Sequence, residues 1–219
     1  MTKGVLFDLD GTLLDTARDL GGALNVMLNR YNLPEVEYER YRIEASNGSI
    51  GLLKLGFADV YNDYQESDLR QEFLDIYHHN ICKDTSVFPG IEEIISYLDE
   101  QGIPWGIVTN KPEDLTKQLL PFFPVMNSSG VVVAGDTLPE RKPSPVPLLH
   151  AAEIIGCAPE ACIYVGDALR DIEAANQANM ISVLAGYGYL SQSQIAELTK
   201  IANKTCNSVP ELKSFLTEI

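Results

Sequence analysis

Gly4-Val5-Leu6-Phe7-Asp8-Leu9-Asp10-Gly11-Thr12 is a short apolar run that ends abruptly in two carboxylates. Val5, Leu6 and Phe7 are hydrophobic toward both faces of an extended chain, the pattern of an inner strand in a parallel sheet covered by helices. Ligands of such sheets bind in the crevice beyond the carboxyl ends of the strands, which is where Asp8 and Asp10 arrive. Near-extended backbone sends side chains at i and i+2 to one side, so the two carboxylates crowd each other. Crowding of that kind is tolerable when a divalent cation neutralises the pair or when one member carries a proton. Asp10-Gly11 is also a common turn dipeptide and Asp15 a ready helix cap. A buried strand before the pair and a helix after it favour chemistry over turn formation.

Beyond the acidic turn, Asp15 or Thr16 can cap a helix through Leu20, Leu24, Met27, Leu28 and Tyr31, closed by Pro34. Further helical patterns cover Tyr38 to Ala45, then Ile50 to Phe57 after the break Ser46-Asn47-Gly48-Ser49, then a stretch from Ser67 with Leu69, Phe73, Ile76 and Tyr77 on one side. No strand is predicted there. From Phe88-Pro89-Gly90 onward the pattern alternates. A helix at 91–101 leads to a strand at 104–108, a helix opening at Lys111-Pro112 to the strand Val131–Val133, a helix through Leu148, Leu149, Ile154 and Ile155 to the strand 161–165, and a helix near Asp171 to the last predicted strand, Met180–Leu184. Strands alternating with helices at this spacing imply right-handed crossovers. The predicted fold is α/β: a doubly wound parallel sheet at 1–15 and 84–219, with an inserted all-helical cap at 16–83.

The 219 residues suffice for one large core, or for a core plus a smaller insertion. Sixteen Lys and Arg against 31 Asp and Glu give a net charge of −15, which disfavours nucleic acid as a partner. A small phosphorylated metabolite remains compatible, provided a metal, a lysine and helix N-termini supply local positive charge. Cys82, Cys157, Cys162 and Cys206 lack Cys-x-x-Cys spacing, and His78, His79 and His150 lack ligand spacing. Reduced cytosolic thiols are the simpler account. Asp8 breaks the only early apolar run, so neither a signal peptide nor a membrane span is predicted and a cytoplasmic location is expected.

Polar residues collect just past the strand ends: Asp8 and Asp10, then Thr109, then Asp167 with Asp171, while Lys142 stands at a helix start. A carboxylate nucleophile, a hydroxyl, a lysine and an acidic pair suffice to transfer a phosphoryl group. Singly, Thr109 also reads as a helix cap, Lys142 as a solvated charge and Asp171 as a residue favoured by the helix dipole. Lys111 reads either as a phosphate contact or as a loop cap.

On Asp8-Leu9-Asp10-Gly11-Thr12, Thr109-Asn110, Lys142-Pro143-Ser144-Pro145 and Gly166-Asp167-Ala168-Leu169-Arg170-Asp171, the chain resembles haloacid dehalogenase superfamily phosphatases with a helical cap of the first type. The resemblance implies that Asp8 attacks phosphorus to form an aspartyl phosphate and that Asp10 acts as acid and then base. It further implies that Mg²⁺ is held by Asp8, the Asp10 carbonyl, Asp167 and Asp171, and that Thr109, Asn110 and Lys142 bind the phosphoryl group. Asp10, with Asp167 and Asp171, favours phosphate chemistry over dehalogenation. The cap is expected to set specificity, with Arg42, Ser46, Asn47 and Gly48 as the candidate substrate loop, although an ordinary helix–helix turn fits the same residues.

Within the superfamily the chain is similar to bacterial phosphoglycolate phosphatases, departing from their tryptophan-valine-glycine pattern at Glu44-Ala45-Ser46. Through Thr109-Asn110-Lys111-Pro112, the stretch Asp167 to Glu173 and Tyr187-Gly188-Tyr189, it also resembles N-acetylmuramic acid 6-phosphate phosphatases. Tyr187 and Tyr189 read as cleft-lining or loop-packing aromatics. A sugar-phosphate mutase of the β-phosphoglucomutase type shares every core motif, a phosphate-binding protein without catalysis is the non-enzymatic reading, and the resemblance allows a monomer or a homodimer.

Overall fold

The apolar run that opens the chain becomes the centre of the sheet. In the computed structural model, which describes residues 4–218, β1 (Gly4–Phe7) is buried at all four positions. After β2 (Leu14–Asp15) come the helices α1 (Ala17–Arg30), α2 (Tyr38–Ala45), α3 (Gly48–Phe57) and α4 (Glu66–His79), then β3 (Ser86–Val87). The remainder alternates: α5 (Ile91–Gln101), β4 (Trp105–Val108), α6 (Glu113–Leu119), β5 (Val132–Val133), α7 (Val146–Ile154), β6 (Cys162–Gly166), α8 (Leu169–Gln177), β7 (Ile181–Ala185), α9 (Gln192–Leu198), β8 (Lys204–Cys206) and α10 (Val209–Thr217).

Six strands form one sheet in the order β5-β4-β1-β6-β7-β8, every adjacent pair parallel. Phe7 lies in register with Ile107 on one side and Val165 on the other. From β1 the chain builds outward through β4 to β5, then returns to the opposite side of β1 and builds through β6 to β8. Strand order therefore reverses at β1, which opens a crevice at the carboxyl ends of β1, β4 and β6. On one face Leu6, Val108, Val133 and Tyr164 pack against Leu148, Ala151 and Ala152 of α7 and Ala174 and Ala175 of α8. Helix α5 buries Ile91, Ile94, Ile95 and Leu98 and stops at Gly102, whose φ of +64° suits a residue without Cβ.

The predicted doubly wound parallel sheet is present, and the short strands β2 and β3, which form a second two-stranded sheet, were not predicted. Helix α9 and strand β8 were not predicted; Lys204-Thr205-Cys206 is too short and too polar for a periodic signal, and it extends the sheet only by pairing with the edge of β7.

The chain divides into two compact units, Met1–Leu14 with Val87–Ile219, and Asp15–Ser86. Within the second, Leu24, Met27 and Leu28 of α1, Leu52, Leu53 and Phe57 of α3, and Leu69, Phe73 and Tyr77 of α4 are buried. Asp19 of α1, itself buried, fastens the far end of this unit: its carboxylate accepts the backbone N–H groups of Lys83, Asp84 and Thr85 at 3.0, 2.8 and 3.0 Å and the Thr85 hydroxyl at 2.5 Å.

Candidate active site

Asp8 leaves the end of β1 with its N–H donating to Val165 O at 2.8 Å, so the main strand ladder fixes its backbone. Asp8, Asp167 and Asp171 each place a carboxylate oxygen within 4.8 Å of the others, and all three are buried. The Lys142 ammonium joins them, 2.9 Å from Asp8 Oδ1 and 2.8 Å from Asp171 Oδ1. It also donates to Val108 O at 2.8 Å and to the Tyr164 hydroxyl at 2.7 Å, and that hydroxyl donates in turn to Val108 O. One buried ammonium is thereby held from four directions at the crevice.

Asp171 serves two purposes. Its Oδ2 accepts the Ala168 N–H at 2.9 Å at the start of α8, where the helix dipole favours an acidic residue, while its Oδ1 faces Lys142. Asp167 accepts the Tyr189 N–H at 2.9 Å. Two glycines make room for it: a Cβ on Gly11, at φ +81°, would lie 2.1 Å from Asp167 Oδ2, and one on Gly188 would lie 2.4 Å from Asp167 Cβ. Neither position admits another residue without moving the carboxylate.

Burial raises the Asp8 carboxyl above the usual carboxylate range; Lys142 opposes the shift and the Asp171 charge adds to it. For Asp171 burial pushes upward too, but Lys142, Arg170 and the Ala168 N–H outweigh it and hold the carboxyl low. Burial and the Asp171 and Asp8 charges lift the Tyr164 phenol well above its ordinary value. Three hard oxygen donors this close, one of them raised by burial and like-charge crowding, suit a hard divalent cation, which would offset both effects.

The remaining core residues connect through two loops. Thr109 follows β4, donates its N–H to Val133 O at 2.9 Å and accepts the Lys111 N–H on Oγ1 at 3.2 Å. The Asn110 side chain donates to Lys142 O at 2.8 Å and accepts the Lys142 N–H at 3.1 Å, tying the loop after β4 to the Lys142 backbone. Asp10 carries Lys111 on both carboxylate oxygens, at 3.2 and 3.3 Å. Tyr187 donates to Thr12 O at 3.1 Å and packs edge-on against Phe88, which is the loop-packing role.

Arg42 lies in α2 and Ser46 and Asn47 follow it, with Asn47 Nδ2 donating to Glu44 Oε2 at 2.8 Å; Gly48 opens α3 at φ +66°. All four belong to the unit Asp15–Ser86. Three groups carried no sequence signal for the site: the Tyr164 hydroxyl, which reads as part of an apolar strand; the Arg170 guanidinium, 4.0 Å from Asp8 Oδ2; and the pairing of Lys111 with Asp10.

A family model for haloacid dehalogenase-like hydrolases matches residues 5–185, and the chain belongs to that family. It is 44% identical over 187 residues to a phosphoglycolate phosphatase of Xanthomonas campestris pv. campestris, covering 85% of this chain and 84% of the relative. It is 35% identical over 188 residues to the N-acetylmuramic acid 6-phosphate phosphatase of Pseudomonas aeruginosa, covering 86% and 83%. Among solved structures, a predicted phosphoglycolate phosphatase from Haemophilus somnus superposes with a TM-score of 0.85 at 27% identity, over 98% of this chain and 97% of the other. Among the described residues, no helix is long and apolar enough to cross a membrane.

Proposed function

We propose that the chain is a Mg²⁺-dependent phosphatase of the phosphoglycolate phosphatase type, hydrolysing a small phosphomonoester through an aspartyl phosphate on Asp8. The observation that carries this reading is Asp8 itself, buried at the end of the central strand, beside Asp167 and Asp171 and in contact with Lys142. The Asp8 carboxylate needs no base to become a nucleophile. Its oxygen bonds to phosphorus as the ester P–O bond breaks, and Asp10 gives its proton to the departing alkoxide, a poor leaving group without one. Asp10 then takes a proton from the water that attacks the phosphoryl group, and Asp8 is released. Lys142 and the Thr109 hydroxyl offset charge on the phosphoryl oxygens, and Asn110 acts through its grip on the Lys142 backbone. Asp8, Asp167, Asp171 and the Asp10 carbonyl would hold Mg²⁺, which when bound would supply positive charge to offset the repulsion of two anions.

We assign residues 16–83 to the cap and substrate selection to Arg42, Ser46, Asn47 and Gly48. The relatives supply the substrates to try first, phosphoglycolate and N-acetylmuramic acid 6-phosphate, both small phosphorylated metabolites. Four free thiols are in keeping with a cytoplasmic setting. The test measures inorganic phosphate released with Mg²⁺ from both compounds and from a panel of sugar phosphates. Unaltered protein should turn over at least one of them. Asp8→Asn should lose at least about a thousandfold while keeping its melting temperature within a few degrees. Turnover by that variant near the unaltered rate would sink the covalent route.

A further inference from the structure

The motif after β4 brings a second lysine to the site, and its ammonium pairs with Asp10. Lys111 Nζ lies 3.2 Å from Asp10 Oδ1 and 3.3 Å from Asp10 Oδ2, with the lysine side chain 4% exposed and the aspartate 19%. Among the described residues this ammonium is the only hydrogen-bond donor on the Asp10 carboxylate. Both partners are fixed at the backbone. The Lys111 N–H is held by Thr109 Oγ1 at 3.2 Å and its carbonyl by the Gly135 N–H at 2.8 Å. Gly135 cannot be displaced toward a larger residue, because a Cβ there would lie 2.2 Å from Asn110 O. On the other side, the backbone of Asp10 bridges Leu14, and the Gly11 N–H donates to Leu14 O at 2.9 Å.

The geometry points to Lys111 as a positioning residue that aims the Asp10 carboxylate at the ester oxygen, and this rests on the phosphatase reading above. An aspartate side chain at a strand end rotates about two bonds. A proton donor that is misplaced by about an ångström loses much of its effect. With both oxygens in reach of one buried ammonium the carboxylate plane is set, and either oxygen keeps the contact while the other exchanges the proton. In the first half-reaction the Asp10 proton goes to the ester oxygen as the Asp8–phosphorus bond forms and the ester P–O bond breaks. In the second half-reaction water gives that proton back as its oxygen replaces Asp8 on phosphorus.

A lysine that aims a proton donor and a lysine that grips phosphate differ in how they respond to the leaving group. An alkyl ester needs the proton to depart; 4-nitrophenolate does not. The ratio kcat/KM reports the first irreversible step, transfer to Asp8, and so reads the proton requirement directly. The experiment measures kcat/KM with Mg²⁺ for the best alkyl monoester and for 4-nitrophenyl phosphate, in unaltered protein, Lys111→Met, Lys111→Arg, Asp10→Ala and the Asp10→Ala/Lys111→Met double variant. Expected for Lys111→Met is a loss of about a hundredfold on the alkyl ester against less than about threefold on the aryl ester. Lys111→Arg should recover most of the alkyl activity, and Lys111→Met should cost nothing further in the Asp10→Ala background. Equal losses on both esters with raised KM would make Lys111 a phosphate ligand and overturn the inference alone, as would no loss on either. No phosphate release from either ester by unaltered protein would overturn the phosphatase reading and the inference with it.

Discussion

At the residue scale the site turns on how one ammonium is shared. Lys142 sits among two carboxylates, a carbonyl and a phenol, with its side chain fully buried. Removing it strands the Asp8 and Asp171 charges in the interior, whereas removing the Tyr164 hydroxyl deletes one of several contacts. Lys142→Met should therefore cost about 3–5 kcal/mol, the range for breaking a buried ion pair from one side. Tyr164→Phe should cost only about 1–2 kcal/mol, because Val108 O and the ammonium both keep other partners. Urea unfolding at constant slope gives both numbers, and the reverse order would mean that the phenol, not the charge, holds the cluster. Asp8, Asp10 and Asp167 were legible in the sequence as polar residues where apolar strands end, and Lys142 and Asp171 as charged residues near helix starts. Tyr164 was not legible, since its hydroxyl reaches the site through the register that sets Leu6 beside Tyr164, and register is a property of the assembled sheet. The Lys111–Asp10 pair joins residues 101 apart, a distance at which neither carries a mark of the other.

At the scale of elements, the central strands announced themselves by unbroken hydrophobicity and β8 by nothing. What holds β8 to the sheet beyond its ladder is a polar knot: the Ser182 N–H donates to Asn203 Oδ1 at 2.9 Å and the Asn203 N–H to Ser182 Oγ at 3.0 Å. A serine inside a strand and an asparagine before one read as ordinary polar residues until they meet. Cys206 closes β8, fully buried, and burial first, with Glu211 adding and Lys204 opposing, lifts its thiol from its ordinary 9.0 to about 11. The unfolded thiol thus ionises before the folded one. The neutral thiol favours the native state below pH 9, and that contribution drains away as pH rises from about 9 toward 11. Urea midpoints taken across this window should fall, and fall less in Cys206→Ala; parallel curves for the two proteins would show that the thiol takes no part.

At the scale of the whole molecule, the sheet spans both ends of the sequence, with the helical unit inserted after its first strand. Asp19 stands near one end of that insertion and gathers the N–H groups of Lys83, Asp84 and Thr85, 64 to 66 residues later, onto a single carboxylate. Closing a loop of this length costs entropy that grows only slowly with the number of residues, and here it is met inside the insertion itself. The seventy-odd residues consequently form a cassette whose two cut ends are pinned together by one side chain. Residues 15–86 expressed alone should unfold cooperatively on heating, and the same fragment with Asp19→Ala should not. A lineage could then trade such a cassette for another of different length or selectivity without redrawing the sheet, because the host strand sees only a short gap to bridge.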